Sequence, residues 1–197
     1  MRHGHALVVT CMLSAALGCT TSAGPQFTPL ASAARVGATT EIAALVAAGH
    51  DVNGVDPAGN HWTPLLHAIH KGQFRAVDAL IAAGADVNRA APGGFTPLLM
   101  AVGNGRADIV RRLLAAGADP GRDGPELLAT AVSGGALTDI DNPLLGRCNT
   151  EVVQTLLHRA PDLRLEPNLR SRLALSFARL NDCADVLRLV CRTGCTG

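Results

Sequence analysis

The tripeptide Thr-Pro-Leu occurs three times in this chain at nearly constant spacing. It stands at 28–30, 63–65 and 96–98, so successive copies are 35 and 33 residues apart. Nine positions after each Thr comes a Gly, and twelve positions later a second one; these are Gly37, Gly72 and Gly105, then Gly49, Gly84 and Gly117. Self-similarity at such a period is the signature of stacked repeats, each of which buries its apolar face against its neighbours. The chain is therefore predicted to be a solenoid.

Each element of the unit has a local structural role. A threonine caps the first turn of a helix, and a proline fits the first helical position because its missing N–H would have no partner there. A glycine after a helix supplies left-handed backbone. Small pairs such as Ala33-Ala34 let helices approach closely, and pairs such as Leu80-Ile81 form the apolar stripe of a second helix. Aromatic residues make up 3% of the chain, so Ala and Leu supply the core of an all-α fold.

After each second Gly comes a loop start, such as Ala85-Asp86-Val87-Asn88, which begins the connection to the next unit. The whole pattern resembles the ankyrin repeat over residues 27–195. The resemblance implies an all-α solenoid of about five helix-turn-helix repeats, with the last two degenerate. The histidine that usually follows Thr-Pro-Leu in the family is replaced by Ala31, Leu66 and Leu99, so we expect its polar network to be lost.

The two degenerate repeats follow residue 120. Residues 127–135 and 151–157 match the two helices of the fourth repeat, and about thirteen extra residues, 136–148, form an insertion between them. Residues 170–180 and 182–194 match the fifth repeat, in which Gly194 aligns with Gly117. With no further repeat after it, this unit is expected to be the C-terminal cap, with arginines on its exposed face.

The first twenty residues predict export. Arg2 precedes an uncharged run, 6–18, that is too short to span a bilayer but has the length of a signal-peptide core. The run ends in Leu17-Gly18-Cys19, which resembles the lipobox of bacterial lipoproteins, whose Cys is acylated. That resemblance implies a signal peptide at 1–18, a lipidated tether at 19–26 and the repeat domain at 27–197. By resemblance to Gram-negative lipoproteins, Thr20 after the Cys implies the outer membrane on its periplasmic side. Cleavage near Ala23 would instead give a soluble periplasmic or secreted protein.

Four cysteines remain if Cys11 is removed and Cys19 is acylated: Cys148, Cys183, Cys191 and Cys195. An even number in an exported chain favours two disulfides, in one of three pairings. In the repeat register Cys148 and Cys183 both open second helices of adjacent repeats, and the other two are one turn apart. We therefore favour 148–183 with 191–195. A tetrathiolate zinc site is the alternative.

The net charge and the candidate polar residues do not indicate a catalytic role or nucleic-acid binding. The chain has 17 Lys and Arg against 16 Asp and Glu, so it lacks the positive field that attracts nucleic acid. His67 and His70, with His61 near, could suggest a metal site, but the register puts His67 at a half-buried packing position and His70 on the groove. Asp139 and Asp141 could bind a cation, although a solvated loop is favoured. We expect no enzyme, no metal and no cofactor.

Three of the five aromatic residues share one register, immediately before each Thr-Pro-Leu: Phe27, Trp62 and Phe95. In ankyrin proteins this position lies where a loop tip meets the concave groove, so the resemblance implies a partner-binding surface. The flanking positions are His61, His70, Lys71, Pro92, Gly93 and Asn104. The alternative is that these aromatics simply pack on the adjacent repeat.

The sequence thus predicts an exported, membrane-tethered module, monomeric apart from its partner, that binds a periplasmic protein through its groove. Two sharper roles are an immunity-type inhibitor of a toxin and an adaptor for an enzyme. The alternatives are a structural lipoprotein without a specific partner, or a hydrolase or metal-dependent enzyme that uses the insertion at 136–148.

Overall fold

The computed structural model describes residues 27–57, 60–135 and 148–191. Within these ranges the chain forms ten α-helices and no strand. The helices are α1 (Pro29–Val36), α2 (Thr39–Ala47), α3 (Pro64–His70), α4 (Phe74–Ala82), α5 (Pro97–Gly103), α6 (Ala107–Ala115), α7 (Gly124–Val132), α8 (Thr150–Arg159), α9 (Leu169–Leu180) and α10 (Ala184–Val190). The predicted signal peptide, the tether with Cys19, most of the insertion, Gly194 and Cys195 lie outside the described ranges.

The helices stack in two rows. The odd-numbered helices pack side by side from α1 to α9, the even-numbered helices do the same from α2 to α10, and each odd helix packs on the even helix that follows it. This is the five-repeat solenoid that the period predicts. None of the helices in the described part of the chain is both long and apolar enough to cross a bilayer.

The predicted helix caps are confirmed. The side chains of Thr28, Thr63 and Thr96 accept hydrogen bonds from backbone N–H groups three residues on, at 3.3, 3.3 and 3.0 Å. Glycines end the helices with positive φ, for example 66° at Gly72 and 91° at Gly84. A side chain would strain the backbone in this left-handed region. Glycine at these positions therefore fixes where α1 to α7 stop.

The core is built from the small and aliphatic pairs. Ala33, Ala34, Ala68 and Ile69 are each at most 1% exposed, as are their counterparts in the third repeat. Leu80 of α4 and Leu113 of α6 are fully buried between the two rows. Because alanine lets the odd-numbered helices lie close together, the repeats bury a continuous apolar interior.

Asparagine side chains link the loops of the first three repeats. Asn53 donates to the carbonyl of Gly84 at 3.3 Å and accepts from the N–H of Asp86 at 2.7 Å. Asn88 repeats the pattern one unit later, with Gly117 at 3.0 Å and Asp119 at 2.9 Å. The next equivalent position is Gly121, which has no side chain, so this asparagine ladder ends there.

The last two repeats differ from the predicted bounds. α7 begins at Gly124 rather than residue 127, and α10 ends at Val190. α9 begins at Leu169, one residue before the predicted start, and Asn168 caps it by accepting from the N–H of Ser171 at 2.9 Å. The exposed face of α9 is not purely basic, since Leu180 there is 83% exposed. The cap is thus more apolar than its arginine content predicts.

Cys148 and Cys183 form the pair that the repeat register favours. Their sulfur atoms are 2.06 Å apart and their Cα atoms 5.3 Å apart, which is disulfide geometry. Cys183 is the N-cap residue of α10, and Cys148 lies two residues before α8, so the bond joins the starts of neighbouring second helices. Cys191 follows α10, and its predicted partner Cys195 lies outside the described ranges.

Candidate functional site

Trp62 and Phe95 lie just before the N-termini of α3 and α5, the first helices of adjacent repeats. Each residue directly precedes the threonine that caps its helix, so it lies in the connecting loop where that loop meets the helix. Trp62 is half-buried, and Phe95 remains 40% exposed. The two rings belong to neighbouring repeats, and a depression lies between them.

This depression, the groove pocket, has a volume of about 150 Å³. It is lined by Trp62, His70, Phe95, Leu99, Met100, Gly103 and Asn104. An apolar cavity of roughly this size accommodates a benzene-sized ring. The groove pocket can therefore receive one aliphatic or aromatic side chain.

Four of the nine predicted partner-binding residues line the groove pocket: Trp62, His70, Phe95 and Asn104. Asn104 also has a structural role, because its side-chain amide approaches the carbonyl of Ile69 in the preceding repeat at 3.5 Å. The alternative that the aromatics pack on the adjacent repeat holds for Phe27, whose ring lies 5.2 Å from that of His67 in the second repeat, whereas Trp62 packs on His70 of its own repeat at 5.1 Å.

The other five predicted residues lie around the groove pocket without lining it. His61, Pro92 and Gly93 are exposed on loop tips, and His61 has a positive φ of 52°. Lys71 is exposed at the C-terminal end of α3. Phe27 lies in the first repeat, before that of Trp62, and the guanidinium of Arg35 lies 4.1 Å from the centre of its ring.

A buried polar pair lies directly behind the aromatics. His67 is 3% exposed and Asp56 is 1% exposed, and Nε2 of the histidine is hydrogen-bonded to Oδ2 of the aspartate. The other oxygen of Asp56 accepts the N–H of Thr28 at 2.6 Å. The rings of Phe27 and Trp62 flank His67 at 5.2 and 5.4 Å. This His67–Asp56 pair joins the first two repeats and supports both aromatics.

Arg35 fixes the protonation pattern of His67. Its Nη1 lies 3.4 Å from Nδ1 of the imidazole. Because arginine has no acceptor, Nδ1 must accept, and the ring proton is on Nε2, which donates to Asp56. Burial lowers the pKa of His67, and the positive charges of Arg35 and Lys71 lower it further; Asp56 opposes the shift without cancelling it. His67 is therefore neutral at neutral pH.

The sequence did not predict this pair. His67 was expected to be half-buried, and its equivalents behave differently: Ser32 is exposed and Met100 is buried. The histidine that usually follows Thr-Pro-Leu in the family is replaced here by Leu66, but the next residue, His67, makes a buried polar contact of its own with Asp56. Its sequence signal is the acidic residue seven positions before Thr63 and the histidine four after it.

A related contact occurs two junctions further along the stack, between the third and fourth repeats. The Thr96 hydroxyl donates to Oδ2 of Asp123 at 2.5 Å, and burial raises the pKa of Asp123 despite this bond. At two junctions, therefore, an aspartate that follows a repeat is hydrogen-bonded to the cap threonine of that repeat.

Among the described residues, no group of three or more His, Cys, Asp and Glu side chains is arranged to hold a metal ion.

Comparison with protein families identifies the repeat. A family model described as ankyrin repeats, with three copies, matches residues 1–91 and 30–123. Together these spans cover more than half of the chain. No curated protein matches the sequence.

Proposed function

The chain belongs to the ankyrin-repeat family, whose members are generally non-enzymatic interaction modules, and we propose that it is an exported, membrane-tethered module that binds a periplasmic protein through the groove pocket. The groove pocket carries this proposal. It combines a half-exposed Phe95, a supported Trp62 and an apolar floor of Leu99 and Met100. Aromatic side chains in such settings are the usual anchors of protein interfaces.

The surroundings of Trp62 support its role as an anchor. Its ring is packed against His67 and His70, so its position is set before a partner arrives. A pre-positioned side chain loses little conformational entropy on binding, which favours affinity. Phe95 closes the other side of the pocket, and the bound side chain would lie between the two rings.

The export and tether rest on the sequence. The uncharged run at 6–18 ending in Leu17-Gly18-Cys19 supports acylation at Cys19, and residues 19–26 would connect the lipid to α1. A disulfide-distance pair at Cys148 and Cys183 fits an oxidising compartment. These observations favour the periplasmic side of the outer membrane.

The test is capture from a periplasmic extract with three proteins: wild type, Trp62→Ala with Phe95→Ala, and Phe74→Ala. Phe74 is a matched control, because it is 38% exposed but lies on α4, in the other row of helices. The groove variant should lose the captured protein, while the control keeps it. Truncating interface anchors commonly costs about 2 kcal/mol or more, roughly thirtyfold in affinity.

Thermal unfolding of the same variants separates binding from packing. If the groove variant is well folded and still captures the same partner, the interface is not the groove pocket. If neither the wild type nor either variant captures a protein, the structural-lipoprotein alternative is favoured. For a captured toxin, inhibition of its activity by the purified chain would indicate an immunity role, and retained enzyme activity in the complex would indicate an adaptor.

A further inference from the structure

The last first-row helix, α9, exposes a row of leucines. Leu169, Leu173 and Leu180 are 71%, 43% and 83% exposed, and they are among the few large apolar side chains exposed in the described ranges. At about 100° per residue, positions 169, 173 and 180 fall within roughly 40° of one another around the helix. They form a single stripe, the leucine stripe, about 16 Å long.

Basic residues border the leucine stripe on both sides. Arg172 and Arg179 are exposed along one edge, and Arg170 lies along the other, within 3.6 Å of Glu126. Helix α9 contains no acidic residue. The face is therefore an apolar strip with a positive edge at Arg172 and Arg179 and an ion-paired arginine, Arg170, on the other side.

Helices cover the equivalent side of the earlier first-row helices. α3 packs on α1, α5 on α3, α7 on α5 and α9 on α7. α9 is the last helix of this row in the described chain, so no helix of the described ranges covers its outer side. The occupant that suits this side is therefore a helix with an apolar stripe.

A second copy of the chain is a poor occupant. If two α9 helices paired in antiparallel fashion, the Arg172 and Arg179 edge of one copy would face the same edge of the other. If they paired in parallel, that edge would face Arg170, which is already ion-paired with Glu126. The antiparallel arrangement places like charges opposite each other, and the parallel one offers Arg172 and Arg179 no acidic residue of the facing α9 helix, so neither supplies charge complementarity.

We propose that the leucine stripe of α9 is a second docking surface, distinct from the groove pocket, for an amphipathic helix of a partner protein whose apolar stripe is flanked by acidic residues. Burial of the leucines supplies the attraction, and the arginine edges select acidic over basic partners. This surface does not depend on the groove pocket or on the membrane tether.

The test uses the full chain and a synthetic amphipathic peptide of about 18 residues, long enough to be partly helical, with leucines on one face and glutamates on both flanks. A second peptide has lysines in place of the glutamates. The glutamate peptide should bind and the lysine peptide should not. Binding should weaken as salt is raised, because the flanking charges are exposed.

Three variants locate the site. Leu173→Ala with Leu180→Ala should abolish binding without lowering the melting temperature, because both side chains are exposed. Arg172→Glu with Arg179→Glu should weaken binding of the glutamate peptide roughly tenfold and confer binding of the lysine peptide. Val36→Ala, which removes a side chain 71% exposed on α1 at the other end of the stack, should change nothing.

Several results would overturn the proposal. These are equal binding of both peptides, no binding of the glutamate peptide, or unchanged binding by the leucine variant. Leucine-dependent self-association in analytical ultracentrifugation would instead identify a second copy as the occupant. Stronger sedimentation of wild type than of the leucine variant with vesicles containing phosphatidylglycerol would identify a bilayer.

Discussion

His67 and Asp56 are hydrogen-bonded to each other inside the stack, and Asp56 also accepts the N–H of Thr28 from the preceding repeat. The pair thus connects the cap of α1 with the middle of α3. Because Arg35 occupies the other ring nitrogen of His67, a second proton on the imidazole would meet a positive charge at 3.4 Å. The junction is therefore built for a neutral histidine.

We expect this junction to weaken in mild acid. The pKa of His67 is lower in the folded chain than its ordinary value of about 6.5. Between the two values the unfolded chain binds more protons, so the free energy of unfolding falls as the pH drops below about 6.5. Urea unfolding across pH 5–8 would measure this. His67→Gln should flatten the dependence, whereas His158→Gln, an exposed control on α8, should leave it unchanged.

Trp62 gives a direct optical test of the same protonation. It is the single Trp of the chain, and its ring lies 5.4 Å from that of His67 and 5.1 Å from that of His70. A protonated imidazole quenches a nearby indole, so Trp fluorescence should fall in acid. In His70→Gln the remaining change reports His67, and its midpoint should lie below about 6.5. A midpoint above that value would contradict the neutral state of the buried pair.

The asparagine ladder should contribute measurably to stability. Asn88→Ala removes two hydrogen bonds to the next repeat, to Gly117 and Asp119. At about 0.5–1.5 kcal/mol each, the loss should be roughly 1–3 kcal/mol. Asn181→Ala is the control, since its side chain bonds only within its own helix end, to Phe177. Equal melting temperatures for the two variants would show that the ladder adds nothing.

Reduction of the Cys148–Cys183 bond should destabilise the last two repeats. The bond closes a 35-residue separation, worth roughly 3–4 kcal/mol on the chain-entropy model. Cys148→Ser tests this with little other disturbance, because Cys148 is exposed while Cys183 is buried. Hydrogen exchange should rise in α8 to α10 and stay unchanged in α3. Non-reducing peptide mapping that finds both thiols free would refute the bond.

Lipidation at Cys19 predicts a change of location on mutation. Cys19→Ser should release the chain from the membrane fraction into the soluble periplasm, because a lipid anchor supplies most of the membrane affinity. Fractionation followed by immunoblotting measures this, with Cys11→Ser as the matched control. A Cys19→Ser protein that stays in the membrane fraction would place the anchor elsewhere.

The features that the sequence predicts best are those with a local backbone cause. Thr63 caps a helix and Gly72 takes a positive φ, and the equivalent residues do the same in the other two clear repeats. Three copies of the unit in register are therefore sufficient to define the solenoid. The His67–Asp56 pair was missed because the aspartate occurs in the loop of only one of the clear repeats. In the next repeat Ala91 occupies the position of Asp56. The backbone N–H of each of these residues donates to the carbonyl of the aromatic residue before the cap threonine, Trp62 or Phe95. The leucine stripe was missed although Leu173 and Leu180 lie inside the predicted helix 170–180, because repeat alignment locates a helix without indicating which of its sides remains exposed.

The end of the asparagine ladder at Gly121 has a consequence for how the chain comes apart. In a linear array whose units touch only their neighbours, unfolding starts where nearest-neighbour coupling is weakest and spreads as a front. We expect the three asparagine-linked repeats to unfold together and the two that follow to form a separate segment, joined to the first three by helix packing and the Thr96–Asp123 bond. With the cysteines reduced, the second segment should unfold while the first stays folded, so a denaturation curve of the reduced chain should contain two steps.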